Sequence, residues 1–454
     1  MDAHLRLPPA AVIESWYQAA LAAVDPAVAV SDHLTRDGHA VVVDERRVPV
    51  SGRLIVVGAG KAAVAMASAA EDALGDLIDD GLVVTKDGHI SGHPMARVRV
   101  VEAGHPIPDQ RGCDVARAFL DLANGLTRGD VLLALISGGG SALMETPRAP
   151  VSLGDLAVTT DLLLRAGAPI QDLNAVRTPL SLIKGGGLRR AAGDATVVTL
   201  ILSDVLGNDP AVIASGPTVL IEPRPDAALA MLDRYGIRDR VPETVTHALS
   251  QGAPRDAVPP QSVLRTDILA VIADNNVAVA AAAASARAAG FRTDVIWSAR
   301  TGEASDLGRA WGEACRACPE EVQVLLGGGE ATVTVRGDGT GGRNTEFTLA
   351  AALEVARHDI HEWTVASLAT DGQDALTGVA GAIADAQTVE RSAVAGVDPH
   401  AALERNDSLR VFEAAGGLVR PGPTGTNVND LYFAVRQTFS PSSRLDTAGD
   451  VAIG

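Results

Sequence analysis

LIVVGAG (residues 54–60), followed at once by KAAVAMASAAEDAL (61–74), sets the pattern for most of the chain. The first stretch is apolar without polar alternation, as expected of a strand covered on both faces, and the second is an alanine-rich helical run. The same pairing recurs around VLLALISGGG (131–140), ATVVTLILSD (195–204), and DILAVIAD with NNVAVAAAAASARAAG (267–290). Strands alternating with helices predict βαβ units. The expected class is α/β: a doubly wound, mostly parallel sheet in an N-terminal domain, plus a smaller α/β C-terminal domain. Ligands of such sheets bind at the carboxyl ends of the strands.

Outward from this centre, residues 11–24 place Ile13, Trp16, Tyr17, Ala20 and Val24 on one stripe of an amphipathic helix with a packing role. Between Ile221 and Arg265 the rhythm fails, with Pro223, Pro225, Pro242, Pro254, Pro259 and Pro260. The expected division is therefore 1–240, a linker at 241–265, and 266–454. EVQVLLGGGEATVTVRGDG (321–339) reads as a hairpin-like element around a triple glycine. A helix at 343–357, a strand WTVASLATDG (363–372) and a glycine- and proline-rich tail GPTGTNVNDLYFAV (422–435) follow. The GPTGTNV segment is the expected moving loop.

The 454 residues carry 38 Lys plus Arg against 56 Asp plus Glu, a net charge of −18. This argues against a nucleic-acid or anionic-membrane partner held by overall charge, so an anionic ligand must be gripped locally. No apolar run has signal-peptide or membrane-span length. Cys113, Cys315 and Cys318 are too few to frame the chain, which favours a reducing, cytoplasmic setting. Cys315 and Cys318 read as a helix end and His89 and His93 as structural residues, not as metal ligands.

The local grip has candidates. Glycine turns at 58–60, 138–140 followed by Ser141, 185–187 and 327–329 lie at or near strand ends, where backbone N–H groups can converge on phosphate. Only three lysines occur, Lys61, Lys86 and Lys184, and two of them adjoin glycine turns. A compact ammonium suits a point contact to phosphate. Arg177, Lys184, Arg189 and Arg190 form an acid-free island, with Arg177 and Lys184 sharing one face if that segment is helical. Asp204, Glu330 and Asp371 lie at predicted strand ends, where phosphoryl transfer needs carboxylates for Mg²⁺ and for the substrate proton. Arg343, at a helix start, suits a carboxylate or phosphate. Gly58, Gly60 and Ala63 match a dinucleotide fingerprint formally. Yet Asp79 and Asp80 precede the next apolar run, whereas a ribose-binding acid would close it.

VVGAGKAA, GHPIPD, ISGGGSAL, NAVRTPLSLIKGGGL, SDVLGNDPAVIASGPT, LLGGGEATVTV, GGRNTEF, ATDGQDALTGVAGAIAD and GPTGTNVNDL, in order from about Val12 to Val435, resemble the glycerate 2-kinase family. Its C-terminal part is called the MOFRL domain, here about 320–435. The resemblance implies two α/β domains with the site in the cleft between them, and transfer of the γ-phosphate of ATP, with Mg²⁺, to D-glycerate. It places Lys61, Asp204, Arg343 and Asp371 in catalysis. Gly138, Gly139, Gly140, Ser141, Lys184, Gly327, Gly328, Gly329 and Asn427 would hold the nucleotide, and Asp204, Glu330 and Asp371 the metal. The expected partners are D-glycerate and ATP, with neither nucleic acid nor membrane, in a monomer or homodimer. The sequence departs from the family pattern at Thr178-Pro179, in place of Lys-His, and at Leu206, Asn208, Thr345, Ala375, Leu376 and Gly378. The alternatives are a kinase of a related small hydroxy acid, an NAD(P)H-dependent hydroxypyruvate reductase, the family's older label, and a metabolite-binding regulator.

Overall fold

A computed structural model describes residues 8–90, 94–252, 264–375 and 377–437. The expectations about the extreme N-terminus, His93, Leu376, Pro254, Pro259 and Pro260 lie outside the described residues. The described residues form two compact units, one drawn from 20–278 with 423–429, the other from 8–19, 279–422 and 430–437.

In the first unit the helix Pro26–His33 leads into a small antiparallel sheet, β1 (Leu34–Arg36), β2 (Ala40–Val43) and β3 (Arg46–Pro49). Its main sheet contains β4 (Leu54–Ala59), β5 (Asp80–Lys86), β6 (Val98–Ala103), β7 (Val131–Ile136), β8 (Thr196–Leu202) and β9 (Ile268–Ala273). The spatial order is β6-β5-β4-β7-β8-β9 and every neighbouring pair is parallel. This is the doubly wound topology, whose order reverses between β4 and β7 and opens a crevice at their carboxyl ends. The uninterrupted apolar runs of β4 and β7 are buried at every position, as two-sided coverage requires.

The predicted boundary needs correction. Residues 225–234 and 243–250 are helices, and Ala228, Leu232, Val245 and Leu249 pack with Leu156, Leu163 and Val176 into a helical core of their own. β9 pairs with β8, so Ile268–Ala273 join the first sheet and residues 266–278 belong to the first unit. Prolines at helix starts, such as Pro225, had the appearance of a linker.

The second unit holds a mixed sheet of β10 (Thr293–Glu303), β11 (Val324–Thr332), β12 (Trp363–Ala369), β13 (Gly381–Ala384), β14 (Leu418–Val419) and β15 (Asp430–Arg436), in the order β10-β11-β15-β12-β13-β14. β10 and β11 run parallel and the remaining neighbours antiparallel. The helices Ala304–Ala317 and Arg343–Arg357 cover it. Their close approach depends on Gly308, where a Cβ would lie 2.2 Å from the Phe347 carbonyl oxygen. Trp297, Trp311, Phe347 and Tyr432 cluster against this sheet, with the Phe347 and Tyr432 rings stacked at 4.4 Å. The helix Pro9–Ala23 buries Ile13, Trp16, Tyr17 and Ala20, as its stripe predicted.

The triple glycine at 327–329 is the second correction. It lies inside β11, paired on one side with β10 and on the other with β15, and it makes no turn. A Cβ on Gly329 would fall 2.0 Å from the Arg300 carbonyl oxygen. Glycine here admits a neighbouring strand, and the residues form no phosphate cradle of the kind expected.

Candidate active site

Adjacency of β4, β7 and β8 brings together the segments that follow them. The Lys61 amide donates to the Gly138 carbonyl at 2.9 Å and the Ala62 amide to Ser137 Oγ at 3.1 Å, tying the first turn to the second. A Cβ on Gly138 would sit 2.1 Å from Asp204 Oδ2. One on Gly139 would sit 3.1 Å from His105 Nε2 and 3.5 Å from Lys61 Cγ. The side chains of Lys61, His105 and Asp204 therefore rest on one glycine turn at the topological switch point. Among the described residues, the amides of Gly138 and Gly139 donate to no protein acceptor. Free N–H groups beside an ammonium are a donor set that fits phosphate oxygens.

Electrostatics follow from burial. Burial pushes the Asp204 carboxyl above its ordinary value, and the Lys61 charge opposes this. Burial, with the charges of Lys61 and Lys86 and with His89 nearby, pushes His105 down and keeps its imidazole neutral. Asn427 accepts the Asn429 amide at 3.2 Å, and Asn429 Nδ2 donates to the Asp204 carbonyl at 2.9 Å. Two further hydrogen bonds, Thr426 Oγ1 to Val24 O at 2.7 Å and Asn275 Nδ2 to Val428 O at 2.8 Å, fix this segment. The expected moving loop is anchored within its unit.

Lys184 is not an outward phosphate contact. It is 1% exposed, and its Nζ meets Ser141 O at 2.7 Å, Ser141 Oγ at 2.8 Å and Glu145 Oε2 at 3.2 Å. The same Glu145 oxygen takes Arg177 Nη2 at 3.2 Å. Arg177 ends one helix and Lys184 lies in a turn beyond it, so they share an acid and not a helix face. Arg189 pairs with Asp267 at 2.6 Å and is buried.

The other unit holds a separate cluster. Arg343 Nε and Nη2 bind Asp430 Oδ2 and Oδ1 at 2.6 and 2.8 Å, and Asn344 Nδ2 adds a bond to Asp430 Oδ1 at 2.9 Å. Burial would lower the Arg343 pKa, but Asp430, Glu330 and Asp374 hold the guanidinium firmly charged. Fully buried Asp374 accepts the Asn344 and Thr345 amides at 2.9 and 2.8 Å and Thr345 Oγ1 at 2.8 Å, capping the helix that presents Arg343. Asp371 accepts the Gln373 amide at 2.9 Å, and Glu330 is exposed on β11. Arg343 thus has its own buried carboxylate through two of its nitrogens, which the sequence reading did not foresee.

Glu145, His105, Asp374, Asp430 and Asn429 were missed. Asp374 and Asp430 were visible in ATDGQDAL and TNVNDL as further acids of motifs already singled out. Glu145, six residues past Gly139, carried no such signal. Of the departures, Asn208 hydrogen-bonds Asp274 through its Nδ2, and Thr178 and Pro179 line a cavity of about 370 Å³ with Asn174, Ile221 and Arg224.

A doubly wound sheet with a cation, a buried acid and a glycine turn at its switch point is the arrangement in which α/β enzymes hold small anionic ligands. Comparison with known proteins narrows the class. Residues 12–250 match the family described as a domain of unknown function, DUF4147, and residues 323–430 match the MOFRL family. The chain is 37% identical to glycerate 2-kinase of Pyrococcus horikoshii over 92% of its length and 94% of that protein. It is 35% identical to human glycerate kinase over 92% of its length and 91% of that protein. A protein of Agrobacterium vitis named putative hydroxypyruvate reductase is 39% identical, over 92% of this chain and 93% of its own. The crystal structure of Thermotoga maritima glycerate kinase superposes with a TM-score of 0.82 at 35% identity, covering 94% of this chain and 99% of that one. The chain belongs to the glycerate 2-kinase family. No helix of the described residues is long and apolar enough to cross a membrane.

Proposed function

We propose that this protein transfers the γ-phosphoryl group of ATP, with Mg²⁺, to the 2-hydroxyl of D-glycerate. The carrying observation is the convergence of Lys61 and Asp204 on the Gly138–Gly139 turn at the sheet's switch point, in a chain related over nine-tenths of its length to proteins named glycerate kinase. MgATP, when bound, supplies the electrophilic phosphorus and the charge-neutralising cation.

The chain's own residues do the rest. The Gly138 and Gly139 amides hold phosphate oxygens, and Lys61 holds the migrating group or the substrate carboxylate. Asp204, raised by burial yet drawn toward ionisation by Lys61, takes the hydroxyl proton or ligates the cation. His105, neutral beside Lys61, offers a hydrogen bond without adding charge. Asn429, whose amide donates to Asn427, steadies the Asp204 backbone. The other unit carries its own carboxylates, Glu330 and Asp371, suited to a cation, and Arg343, oriented by its bidentate pair with Asp430.

The reductase reading has weaker support. Asp87, the first acid past β5, is held in a bidentate pair with Arg111 at 2.7 and 2.8 Å, where a ribose-binding acid would be left for the nucleotide. Purified protein with MgATP and D-glycerate, and separately with NADH and hydroxypyruvate, tests both. ADP release that depends on D-glycerate, with no NADH oxidation, is expected. NADH oxidation without ADP release overturns the proposal. ADP release only with another small hydroxy acid moves the substrate, and silence in every arm favours a binding protein.

A further inference from the structure

Ser141 stands next to the glycine turn with an unusual partner. Its Oγ lies 2.8 Å from Lys184 Nζ and 2.8 Å from Ser215 Oγ. Lys184 is 1% exposed, so its amine is shielded from bulk solvent. Its three polar partners are Ser141 O, Glu145 Oε2 and Ser141 Oγ. The first two only accept hydrogen bonds. A neutral amine has two N–H groups, one for each of these, and a single lone pair, and the sole partner with a proton to give that lone pair is the Ser141 hydroxyl. The ammonium gives its third N–H to Ser141 Oγ, so loss of one proton reverses that hydrogen bond and leaves a neutral lysine drawing the Ser141 proton.

The charge balance also fits. Glu145 is 1% exposed, and Arg177 contacts the same carboxylate oxygen as Lys184 at 3.2 Å. Arginine remains charged, so Lys184 can lose its proton without leaving Glu145 uncompensated. Glu145 and Arg177 are the charged groups that face Lys184. Burial, partly offset by Glu145 and reinforced by Arg177, pushes the Lys184 ammonium down to about 8. Ser215 completes the chain from a left-handed backbone, φ 63°, directly after Ala214 at φ 49°. Two consecutive non-glycine residues in that region are held by their surroundings.

We propose that Ser141 is a nucleophile and Lys184 its general base, forming a serine–lysine centre that accepts the acyl group of small carboxylic esters. Ser141 Oγ attacks the ester carbonyl, the Oγ–C bond forms, the alcohol leaves as its C–O bond breaks, and the Ser141 proton passes through Lys184 to the departing oxygen. Water, deprotonated by Lys184, then attacks the acyl carbon and releases the acid and the free hydroxyl. This activity is independent of the kinase reading, since no nucleotide takes part.

The test uses the full chain and a fluorophosphonate, which reports the first half of the reaction. Ser141 Oγ forms a bond to phosphorus, fluoride leaves with its electron pair, and the proton goes to Lys184. Peptide mass mapping is expected to find the adduct on Ser141. Labelling should rise with pH up to a plateau above about 8, as Lys184 loses its proton, and hydrolysis of p-nitrophenyl acetate should rise in parallel. Ser141→Ala should abolish both, and Lys184→Met should slow labelling about 100-fold, the usual share of a general base. The wild-type pH profile keeps the test open if the Lys184 variant does not fold. An adduct on Ser215 or on a surface serine, a flat pH profile, or no labelling of folded protein overturns the proposal. D-glycerate phosphorylation, measured on the same samples, reports separately on the kinase.

Discussion

Gly138→Ala is the most direct perturbation of the candidate active site. Gly138 lies outside the left-handed backbone region, so alanine suits its local conformation and lowers unfolded-state entropy slightly, a stabilising change of about 0.4–1 kcal/mol. The new methyl has no room: its carbon would lie 2.1 Å from Asp204 Oδ2 and 2.7 Å from Asp204 Cγ. Carbon and oxygen do not approach so closely, and the Asp204 carboxylate must retreat by about 1 Å. A displacement of about 1 Å in a group that acts on the reacting hydroxyl costs roughly 100-fold, or about 2.7 kcal/mol of barrier. Steady-state phosphorylation of D-glycerate should therefore show kcat/KM down about 100-fold, mostly through kcat, with a melting temperature near that of the parent. Gly154→Ala is the control, since its Cβ would meet only Ser152 Oγ at an ordinary 3.6 Å. If Gly138→Ala keeps kcat/KM within threefold while folded, Asp204 is not placed for the chemistry by this turn, and the reasoning fails.

Lys61→Ala should lower kcat/KM by about 100-fold or more, as loss of a positioned transition-state donor does, and near-normal turnover would remove Lys61 from the site. Because burial raises the Asp204 pKa, its carboxylate takes up a proton sooner on acidification than an exposed aspartate, so kcat should fall at a pH above the ordinary value of about 3.9. A pH–rate profile flat down to that value would exclude Asp204 as the base. Asp374→Ala leaves the Asn344 and Thr345 amides without their acceptor in a buried place, and should cost about 3 kcal/mol in urea unfolding; a loss below about 1 kcal/mol refutes the cap. Arg343→Met strands the Asp430 carboxylate and should cost about 3–5 kcal/mol, much of it recovered in the Arg343→Met, Asp430→Leu double variant; equal losses in both would show that the pair is not what holds them.

The parallel sheet was legible because its strands are covered on both faces: Leu54–Ala59 and Val131–Ile136 contain no polar residue to blur the pattern. The glycine turns after β4 and β7 were legible for the same reason, since an apolar run that stops at glycine has few other readings. Gly327–Gly329 shows the limit. A glycine run admits either a turn or a crowding neighbour, and only the pairing of β11 with both β10 and β15 decides between them. The boundary error had a related origin, because proline at a helix start and proline in a linker are identical in sequence.

Charge was harder to read than fold, and for a physical reason. A lysine's rarity marks it as special, but whether it faces a ligand or a buried acid depends on partners far away in sequence. Lys61 adjoins Asp204 across the sheet, whereas Lys184, with the same kind of glycine neighbours, turns inward to Glu145 and Ser141. Arg343 makes the same point in the other unit: its companion Asp430 is 87 residues on, at the start of the strand that pairs with β11 and β12. Motif reading selects residues that do chemistry or support it without separating the two. The separation lies in desolvation, since a charge 1% exposed must find its counter-charge inside the protein, while one at the mouth of a crevice can wait for a substrate to provide it.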